Sequence, residues 1–254
     1  MPIDVAFTPA DLAGLGVAGR TVFMIDILRA STTICAALVN GARSCIPVGS
    51  IEEAMRLAET LKRREVLLTG ERNGVRIAGF DLGNSPHEMI ETVVRGKTLV
   101  MTTTNGTEAL LATGGAARVY VAAGVNLALA GALASEVLAE ADDLLVVCAG
   151  RAGDFSLDDA YAAGRLLQAA LGRRRPRQGL NDAAQVCLDL ARRYGDNWLR
   201  PLMAARSGRE LVALGFREDV EMAAQEDHFP VLPQLTDRRI TPAVVGAPYP
   251  PALP

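Results

Sequence analysis

The first residues that suggest chemistry belong to an apolar, β-branched run at Thr21–Ile27 and to the turn after it. Asp26 lies near the end of this run, and Arg29, Ser31 and Thr32 follow closely. Because burying an acid in an apolar strand is costly, the position of Asp26 favours a functional role. Arg29 offers a bidentate donor to phosphate or sulfonate, while Ser31 or Thr32 can cap a helix whose free N–H groups attract an anion. A simple turn with an ordinary helix cap is the alternative.

A threonine-rich loop is the second candidate, and it directly follows a predicted strand at Thr98–Thr102. Its candidate substrate-binding residues are Thr103, Thr104, Asn105, Gly106 and Thr107. Hydroxyls, a carboxamide and backbone N–H groups beside a glycine can hold an oxyanion where a helix begins. The loop lacks the G-x-x-x-x-G-K-[ST] pattern of a P-loop, and a strand end with a helix cap is again the alternative.

Further carboxylates supply the hard oxygen ligands that Mg²⁺ prefers. Glu71 and Arg72 lie between glycines after a predicted strand, and Asp81 follows in the next turn-rich segment. Asp159 comes soon after another predicted strand, which ends near Gly150. We therefore take Glu71, Asp81 and Asp159 as candidate metal ligands beside Asp26.

Other residues near these groups allow simpler structural interpretations. Asn84 or Ser85 is typical of a helix cap, because Pro86 suits the first helical position. Cys148 lacks the arginine that the C-x₅-R pattern of cysteine phosphatases requires, since Asp154 stands at that place. We therefore predict that Cys148 is a core residue.

Composition excludes several classes of protein. Half of the 254 residues are hydrophobic, aromatic residues make up 4%, and the net charge is -3. This charge argues against nucleic acid as the main partner, and no apolar run reaches the roughly 20 residues of a membrane span. The start of the chain resembles no export signal, so we expect a cytoplasmic protein whose four cysteines are reduced.

The elements that must position these residues alternate along the first part of the chain. Predicted strands are Ile3–Phe7, Thr21–Ile27, Ser44–Val48, Val66–Thr69, Thr98–Thr102, Val119–Ala123 and Leu144–Cys148. Predicted helices are Thr32–Asn40, Ile51–Arg63, Ser85–Val94, Thr107–Ala112, Leu127–Leu138 and Leu157–Leu171. This alternation predicts an α/β fold, with a mostly parallel sheet and helices on both faces. Ligands of such sheets bind beyond the carboxyl ends of the strands, so we expect the polar clusters to share one rim.

The remainder of the chain has a different pattern. Predicted helices are Asn181–Tyr194, Asn197–Ala205 and Gly208–Leu214, and Phe229–Leu235 predicts a final strand. We therefore expect an α/β core at 1–175, a mainly helical segment at 176–242 packed on that core, and an irregular tail at 243–254. The arginine-rich run at 173–177 reads as a helix end.

In this order, the motifs resemble those of the 2-phosphosulfolactate phosphatase family. The matching stretches are Asp26-Ile-Leu-Arg-Ala-Ser-Thr-Thr33, Gly70-Glu-Arg72, Gly79-Phe-Asp-Leu-Gly-Asn-Ser-Pro86, Thr102-Thr-Thr-Asn-Gly-Thr107, Asn126, Cys148-Ala-Gly150 and Phe155-Ser-Leu-Asp-Asp159. The resemblance implies Mg²⁺-dependent hydrolysis of 2-phosphosulfolactate to sulfolactate and phosphate, and the partner is thus a small anionic phosphorylated substrate.

The resemblance also implies roles for individual residues. Asp26, Arg29, Glu71 and Arg72 are the expected catalytic residues, and Asp26 and Glu71 hold the metal with Asp81 or Asp159. The expected substrate-binding residues are Ser31, Thr32, Asn84, Asn126 and the loop from Thr103 to Thr107. Direct attack by water and an aspartyl-phosphate on Asp26 are both open at this point.

Two alternatives are weighed against this interpretation. A haloacid-dehalogenase-type phosphatase also starts from a strand-end aspartate, but it requires D-x-D, and Leu28 occupies the position of the second acid. A protein that binds anionic metabolites without turnover would use the same loops. The sequence leaves open whether the chain acts as a monomer or a homodimer.

Overall fold

The computed structural model describes residues 2–61, 63–172 and 179–243. Within them, ten strands form one mixed sheet in the order β1-β8-β2-β7-β9-β10-β3-β6-β4-β5. The strands are β1 (Ile3–Ala6), β2 (Thr21–Ile25), β3 (Ser44–Pro47), β4 (Val66–Arg72), β5 (Val75–Arg76), β6 (Thr98–Thr102), β7 (Arg118–Val121), β8 (Leu144–Cys148), β9 (Pro233–Thr236) and β10 (Arg239–Pro242). The prediction of an α/β fold with a mostly parallel sheet is confirmed.

Eleven α-helices accompany the sheet in the described residues. They are α1 (Leu12–Leu15), α2 (Ala30–Val39), α3 (Ile51–Thr60), α4 (Glu91–Val94), α5 (Gly106–Ala112), α6 (Leu127–Ala139), α7 (Leu157–Leu171), α8 (Asp182–Tyr194), α9 (Leu199–Ala204), α10 (Arg206–Ala213) and α11 (Arg217–Ala223). Short 3₁₀ turns cover Pro9–Asp11, Arg63–Glu65, Pro86–Glu88 and Gly124–Asn126. The helical character of the later part of the chain is thus confirmed, and none of these helices is long and apolar enough to span a bilayer.

The sheet consists of two parallel sets that run in opposite directions. β1, β8, β2 and β7 form one set, and β3, β6 and β4 form the other. The hairpin β9–β10 joins them through three antiparallel pairings, to β7, within the hairpin and to β3. A flat sheet of this kind has the carboxyl ends of its two sets at opposite edges, so the expectation of one shared rim is wrong for the sheet as a whole.

One central core explains how the two sets still meet. Alternate residues of a strand face opposite sides of the sheet. Val146 of β8 and Leu99 of β6 both belong to the central cluster, whereas their neighbours Leu145 and Val100 belong to separate outer clusters. The sheet therefore curves around a shared core, and a twist of about 20–25° per strand accumulates to about 100–125° over the five steps from β2 to β6.

Several local predictions differ from the structure. The helix predicted at 85–94 is a 3₁₀ turn at Pro86–Glu88 followed by the short helix α4. The strand predicted at Phe229–Leu235 is β9, which covers Pro233–Thr236. Its partner β10 follows it and has no strong strand pattern of its own. All four cysteines are buried free thiols, as predicted. The boundary proposed at residue 175, the arginine-rich run and the tail from 244 onward lie outside the described residues.

Candidate active site

A polar cleft lies where loops of the two strand sets meet the C-terminal helices. Its cavity volume is about 80 Å³. Its lining residues are Asp26, Leu28, Arg29, Glu71, Asn73, Gly74, Asn84, Thr104, Asn105, Arg151, Ala152, Ser207, Glu210, Leu211 and Leu214. The cleft thus collects six residues that the sequence offered as site candidates, from four separate segments of the chain.

The turn after β2 presents Asp26 to the cleft. The hydroxyl of Ser31 accepts a hydrogen bond from Asp26 N at 2.9 Å, and Ser31 N donates to Asp26 O at 2.8 Å. The hydroxyl of Thr32 donates to Ile27 O at 2.9 Å. Since α2 already begins at Ala30, these two hydroxyls shape the turn and do not cap the helix. Ser31 and Thr32 thus hold the turn that carries Asp26, and both residues are fully buried.

Asp26 itself is a buried carboxyl group with unusual electrostatics. Burial first, and then the negative charges of Glu71 and Asp158, raise its pKa from 3.8 to about 7. The backbone N–H of Ala30 opposes this shift only in part. Gly106 makes the close packing possible, because a Cβ at this position would lie 2.3 Å from Asp26 Oδ2. The residue beside Asp26 must therefore be a glycine, and the carboxyl is poised to change protonation near neutral pH.

Glu71 holds two loops together within one strand set. Its Oε1 accepts a hydrogen bond from Thr104 N at 2.7 Å, and its Oε2 accepts from Gly74 N at 2.6 Å. The hydroxyl of Thr104 adds a third bond to Oε2 at 3.1 Å. Glu71 is thus a structural carboxylate as well as a cleft residue, and it fixes the position of Thr104 relative to β4.

The predicted threonine-rich loop divides into supporting and lining residues. Thr103 and Thr107 bond each other reciprocally, each backbone N–H donating to the other hydroxyl at 3.0 Å. Thr104 and Asn105 line the cleft, and Asn105 Oδ1 accepts a hydrogen bond from Ala152 N at 2.9 Å. The last contact connects the loop after β6 with the loop after β8, and so joins the two strand sets across the cleft.

Arg29 lies in the cleft but is already bonded. Its Nη1 pairs with Asp219 Oδ2 at 2.6 Å, and its Nη2 donates to Gly74 O at 2.7 Å. The guanidinium lies 4.5 Å from the centre of the Phe216 ring. Ser85 donates to the second oxygen of Asp219 at 2.6 Å. Arg29 is therefore a fixed positive charge, held in place by α11 and the residues just before it.

Two other predicted site residues bond outside the cleft lining. Arg72 donates to Glu71 O at 2.8 Å and to the hydroxyl of Thr102 at 3.0 Å, so it joins the ends of β4 and β6. Asn126 accepts from Ala123 N at 2.8 Å and donates to the carbonyls of Val121 and Val231. In this structure, both side chains stabilise the framework that carries the loops.

The four predicted metal ligands are divided in the same way. Asp26 and Glu71 line the cleft. Asp159 accepts hydrogen bonds from Ile27 N at 2.9 Å and Gly150 N at 3.1 Å, and burial with nearby Asp158 and Asp26 raises its pKa well above the usual value. Asp81 accepts from Leu68 N at 2.8 Å. Within the described ranges, no three His, Cys, Asp or Glu side chains are grouped closely enough to hold a metal ion by themselves.

Sequence reasoning missed the outer wall of the cleft. Arg151 follows Gly150 directly at the end of β8, so the strand-end rule would have found it. Ser207 and Glu210 come from α10, and no local motif marks them. By contrast, Cys148 is buried in the central core cluster, and burial raises the pKa of its thiol well above the usual value. The prediction that Cys148 is a core residue is confirmed.

The family to which the chain belongs follows from comparison with known proteins. The family model for 2-phosphosulpholactate phosphatase matches residues 7–238. The chain belongs to the 2-phosphosulpholactate phosphatase family. The resemblance of the motifs is thereby confirmed, and this is a family of phosphoric monoester hydrolases.

Individual relatives agree with the family model over almost the whole chain. A protein of Symbiobacterium thermophilum named probable 2-phosphosulfolactate phosphatase is 40% identical over 223 residues, which cover 88% of this chain and 94% of the relative. A protein of Thermotoga petrophila with the same name is 39% identical and covers 92% of this chain and 96% of its own length. A third, from Clostridium beijerinckii, is 34% identical and covers 95% and 99%.

Proposed function

We propose that the chain hydrolyses 2-phosphosulfolactate to sulfolactate and inorganic phosphate with the help of Mg²⁺. One observation supports this proposal most strongly. In the cleft of this chain, the buried carboxyl of Asp26, with a pKa of about 7, lies in the same lining as Arg29 and Arg151. Relatives with 32–40% identity are named for this activity. A substrate with phosphate, sulfonate and carboxylate groups requires several positive charges, and the cleft contains Arg29 and Arg151.

The residues of the cleft suit Mg²⁺ if two carboxylates bind it. Mg²⁺ usually takes one or two protein carboxylates and completes its shell with water and phosphate oxygens. Asp26 fits this role, because burial first, and then the negative charges of Glu71 and Asp158, raise its pKa, and a bound cation would stabilise its ionised form. Glu71 keeps lone pairs free beyond its three hydrogen bonds. When bound, Mg²⁺ neutralises phosphoryl oxygens and makes water more acidic.

The other residues of the cleft orient the substrate. Arg29 cannot turn away from the cleft, since Asp219 and Gly74 hold its guanidinium. It therefore presents its remaining N–H groups as a preorganised field toward an oxyanion. Asn84 Oδ1 is buried without a hydrogen-bond partner among the described residues, so it can accept a hydrogen bond from water or from the hydroxyl of the product.

Two routes through Asp26 fit this arrangement. In the first, ionised Asp26 takes a proton from the attacking water as the water oxygen bonds to phosphorus. The P–O bond to the substrate alcohol breaks, and the leaving alkoxide takes up this proton from Asp26. In the second, Asp26 attacks phosphorus, the substrate alcohol leaves, and water then hydrolyses the aspartyl-phosphate. Acid quenching of a single turnover with a radiolabelled phosphoryl group separates the routes, because only the second leaves hydroxylamine-sensitive label on the protein.

The decisive experiment measures phosphate release from 2-phosphosulfolactate with Mg²⁺ and with EDTA. We expect phosphate release in the presence of Mg²⁺ and none in the presence of EDTA. We expect the rate of release by Asp26→Asn to be at least 100-fold lower than that of the wild type. Asp189→Asn is the control, because Asp189 is an exposed acid of α8 with 73% of its side chain accessible. Absence of release from 2-phosphosulfolactate and 2-phospholactate would contradict the proposed function, and equal rates with EDTA would contradict the role of Mg²⁺.

A further inference from the structure

The cleft contains two arginine–carboxylate pairs that differ in how firmly they are held. The side chains of Arg29 and Asp219 are each only 3% exposed. The side chains of Arg151 and Glu210 are 27% and 39% exposed. Breaking a buried pair leaves an uncompensated buried charge, whereas an exposed pair contributes little to stability. The partner of Arg151 can therefore be exchanged at little cost, while the partner of Arg29 cannot.

Glu210 is also well placed to release Arg151. Its second oxygen accepts a hydrogen bond from Arg206 Nε at 2.8 Å, one turn earlier in α10. If Arg151 moves to another anion, Glu210 keeps Arg206 as its partner and is not left as an unpaired charge. The cost of the exchange is thus limited to one exposed contact.

Arg151 still has bonding capacity toward the cleft. Its Nε is buried, and it has no hydrogen-bond partner within the part of the chain that the structure describes. Leaving such a donor unpaired is unfavourable, and an incoming acceptor removes this cost. The loop that carries Arg151 is fixed by the backbone bonds between Arg151 and Asp154 and by the bond from Ala152 N to Asn105. The backbone of the loop is therefore held in place, while the guanidinium of Arg151 can exchange its partner.

The position of Arg151 indicates which group it takes. Asp26 and Glu71, which would face the reacting phosphate, are only 7% and 6% exposed. Arg151 lies at the more open side of the cleft, against α10. We propose that Arg151 exchanges Glu210 for an anionic group of the substrate that does not react, a carboxylate or a sulfonate, and thereby determines specificity. This inference rests on the proposed phosphatase function.

Three phosphate esters test the assignment. 2-Phosphosulfolactate carries both additional anions, 2-phospholactate carries only the carboxylate, and isopropyl phosphate carries neither. We expect Arg151→Gln to lower kcat/KM for 2-phosphosulfolactate about 100-fold and to change that for isopropyl phosphate less than 3-fold. A loss that includes 2-phospholactate identifies the carboxylate as the group bound, and a loss confined to 2-phosphosulfolactate identifies the sulfonate. Equal losses with all three esters, or none, would overturn the proposal.

Binding of the product provides a measurement that does not depend on turnover. Calorimetric titration with sulfolactate should give a Kd about 100-fold weaker for Arg151→Gln and an unchanged Kd for Arg192→Gln. Arg192 is a suitable control, because it forms a comparable exposed pair with Asp189 on α8. If the wild type binds sulfolactate but hydrolyses no ester, the proposed function fails while this test stays valid. Equal affinity of the wild type and Arg151→Gln would overturn the role of Arg151.

A double-mutant cycle tests the exchange itself. If Glu210 competes with the substrate for Arg151, Glu210→Gln should tighten binding of sulfolactate about 3-fold in the wild type. The same change should have less than half of that effect in the Arg151→Gln background. Equal effects in both backgrounds would show only a general change in charge, and they would contradict the competition.

Discussion

The floor and the outer wall of the cleft are built on different principles. Loops after β2, β4 and β6 form the floor, where Ser31, Glu71 and Thr103 accept hydrogen bonds from backbone N–H groups at 2.6–3.0 Å. Side chains of α10 and the loop after β8 form the wall, where Arg151 and Glu210 make an exposed ion pair. The floor therefore holds its polar groups in fixed positions at a cost in folding stability. The wall leaves the charge of Arg151 available to another anion.

Asp219 of α11 holds Arg29 in the floor, and its removal should give the largest effect. Asp219→Asn leaves Arg29 buried without its charge partner, so we expect the free energy of unfolding to fall by about 3–5 kcal/mol. The matched control is Glu210→Gln, which neutralises the exposed pair of the same cleft and should cost less than about 1 kcal/mol. Urea denaturation measures both, and similar losses in the two variants would remove the distinction between floor and wall.

Gly106 tests how tightly the floor is packed. A Cβ at this position would lie 2.3 Å from Asp26 Oδ2 and 2.6 Å from Ala30 Cβ, so we expect Gly106→Ala to cost about 1–3 kcal/mol and most of the activity. Gly14→Ala serves as the control, because nothing lies within 4 Å of its added Cβ. Thermal unfolding and phosphate release measure the two effects. A Gly106→Ala variant as stable as Gly14→Ala would show that the floor has free space.

The charge of Asp26 should oppose folding, and the sign of this effect can be measured. Its pKa rises from 3.8 to about 7 on folding, so the folded protein binds the proton more firmly, and stability falls as pH rises through this interval. The stability of Asp26→Asn does not fall in this way, because the variant has no carboxyl group at this position. Without Mg²⁺ we expect the stability of the variant relative to the wild type to be about 2–3 kcal/mol greater at pH 8 than at pH 5, because pH 5 already lies above the pKa of 3.8 in the unfolded chain.

Thermal unfolding at the two pH values measures this difference: the Tm of the variant minus that of the wild type should be about 4–12 °C larger at pH 8 than at pH 5. Asp189→Asn, an exposed acid outside the cleft, should show no such dependence on pH. An Asp26→Asn variant that is less stable than the wild type at pH 8 would indicate that a bonded carboxylate, and not an unbalanced charge, occupies the floor.

The sequence predicted the floor better than the wall, for a physical reason. Asp26, Glu71, Thr104 and Asn105 follow apolar strands directly, and a local rule about strand ends is enough to select them. Local pattern did not separate residues that face the cleft from those that support it. Ser31, for example, bonds the turn from behind, because α2 begins at Ala30.

The wall depends on contacts between segments that are far apart in the chain. Glu210 reaches Arg151 from α10, a helix whose pattern indicates only burial on one side. In the same way, alternating strands and helices predicted parallel pairing but not the reversal between the two sets. That reversal is produced by β9 and β10, and the short β10 has no apolar run that would reveal it.

The hairpin β9–β10 also has a consequence for how the enzyme is made. β7 pairs with β2 on one side and with β9 on the other, and β3 lies between β6 and β10. During synthesis, residues 233–242 are the last of these strands to leave the ribosome, long after Asp26 and Glu71. Until then the nascent chain has two open sheet edges, which are sites of aggregation. We therefore expect the active fold to form only after β9 and β10 have been synthesised, although Asp26 and Glu71 are synthesised much earlier.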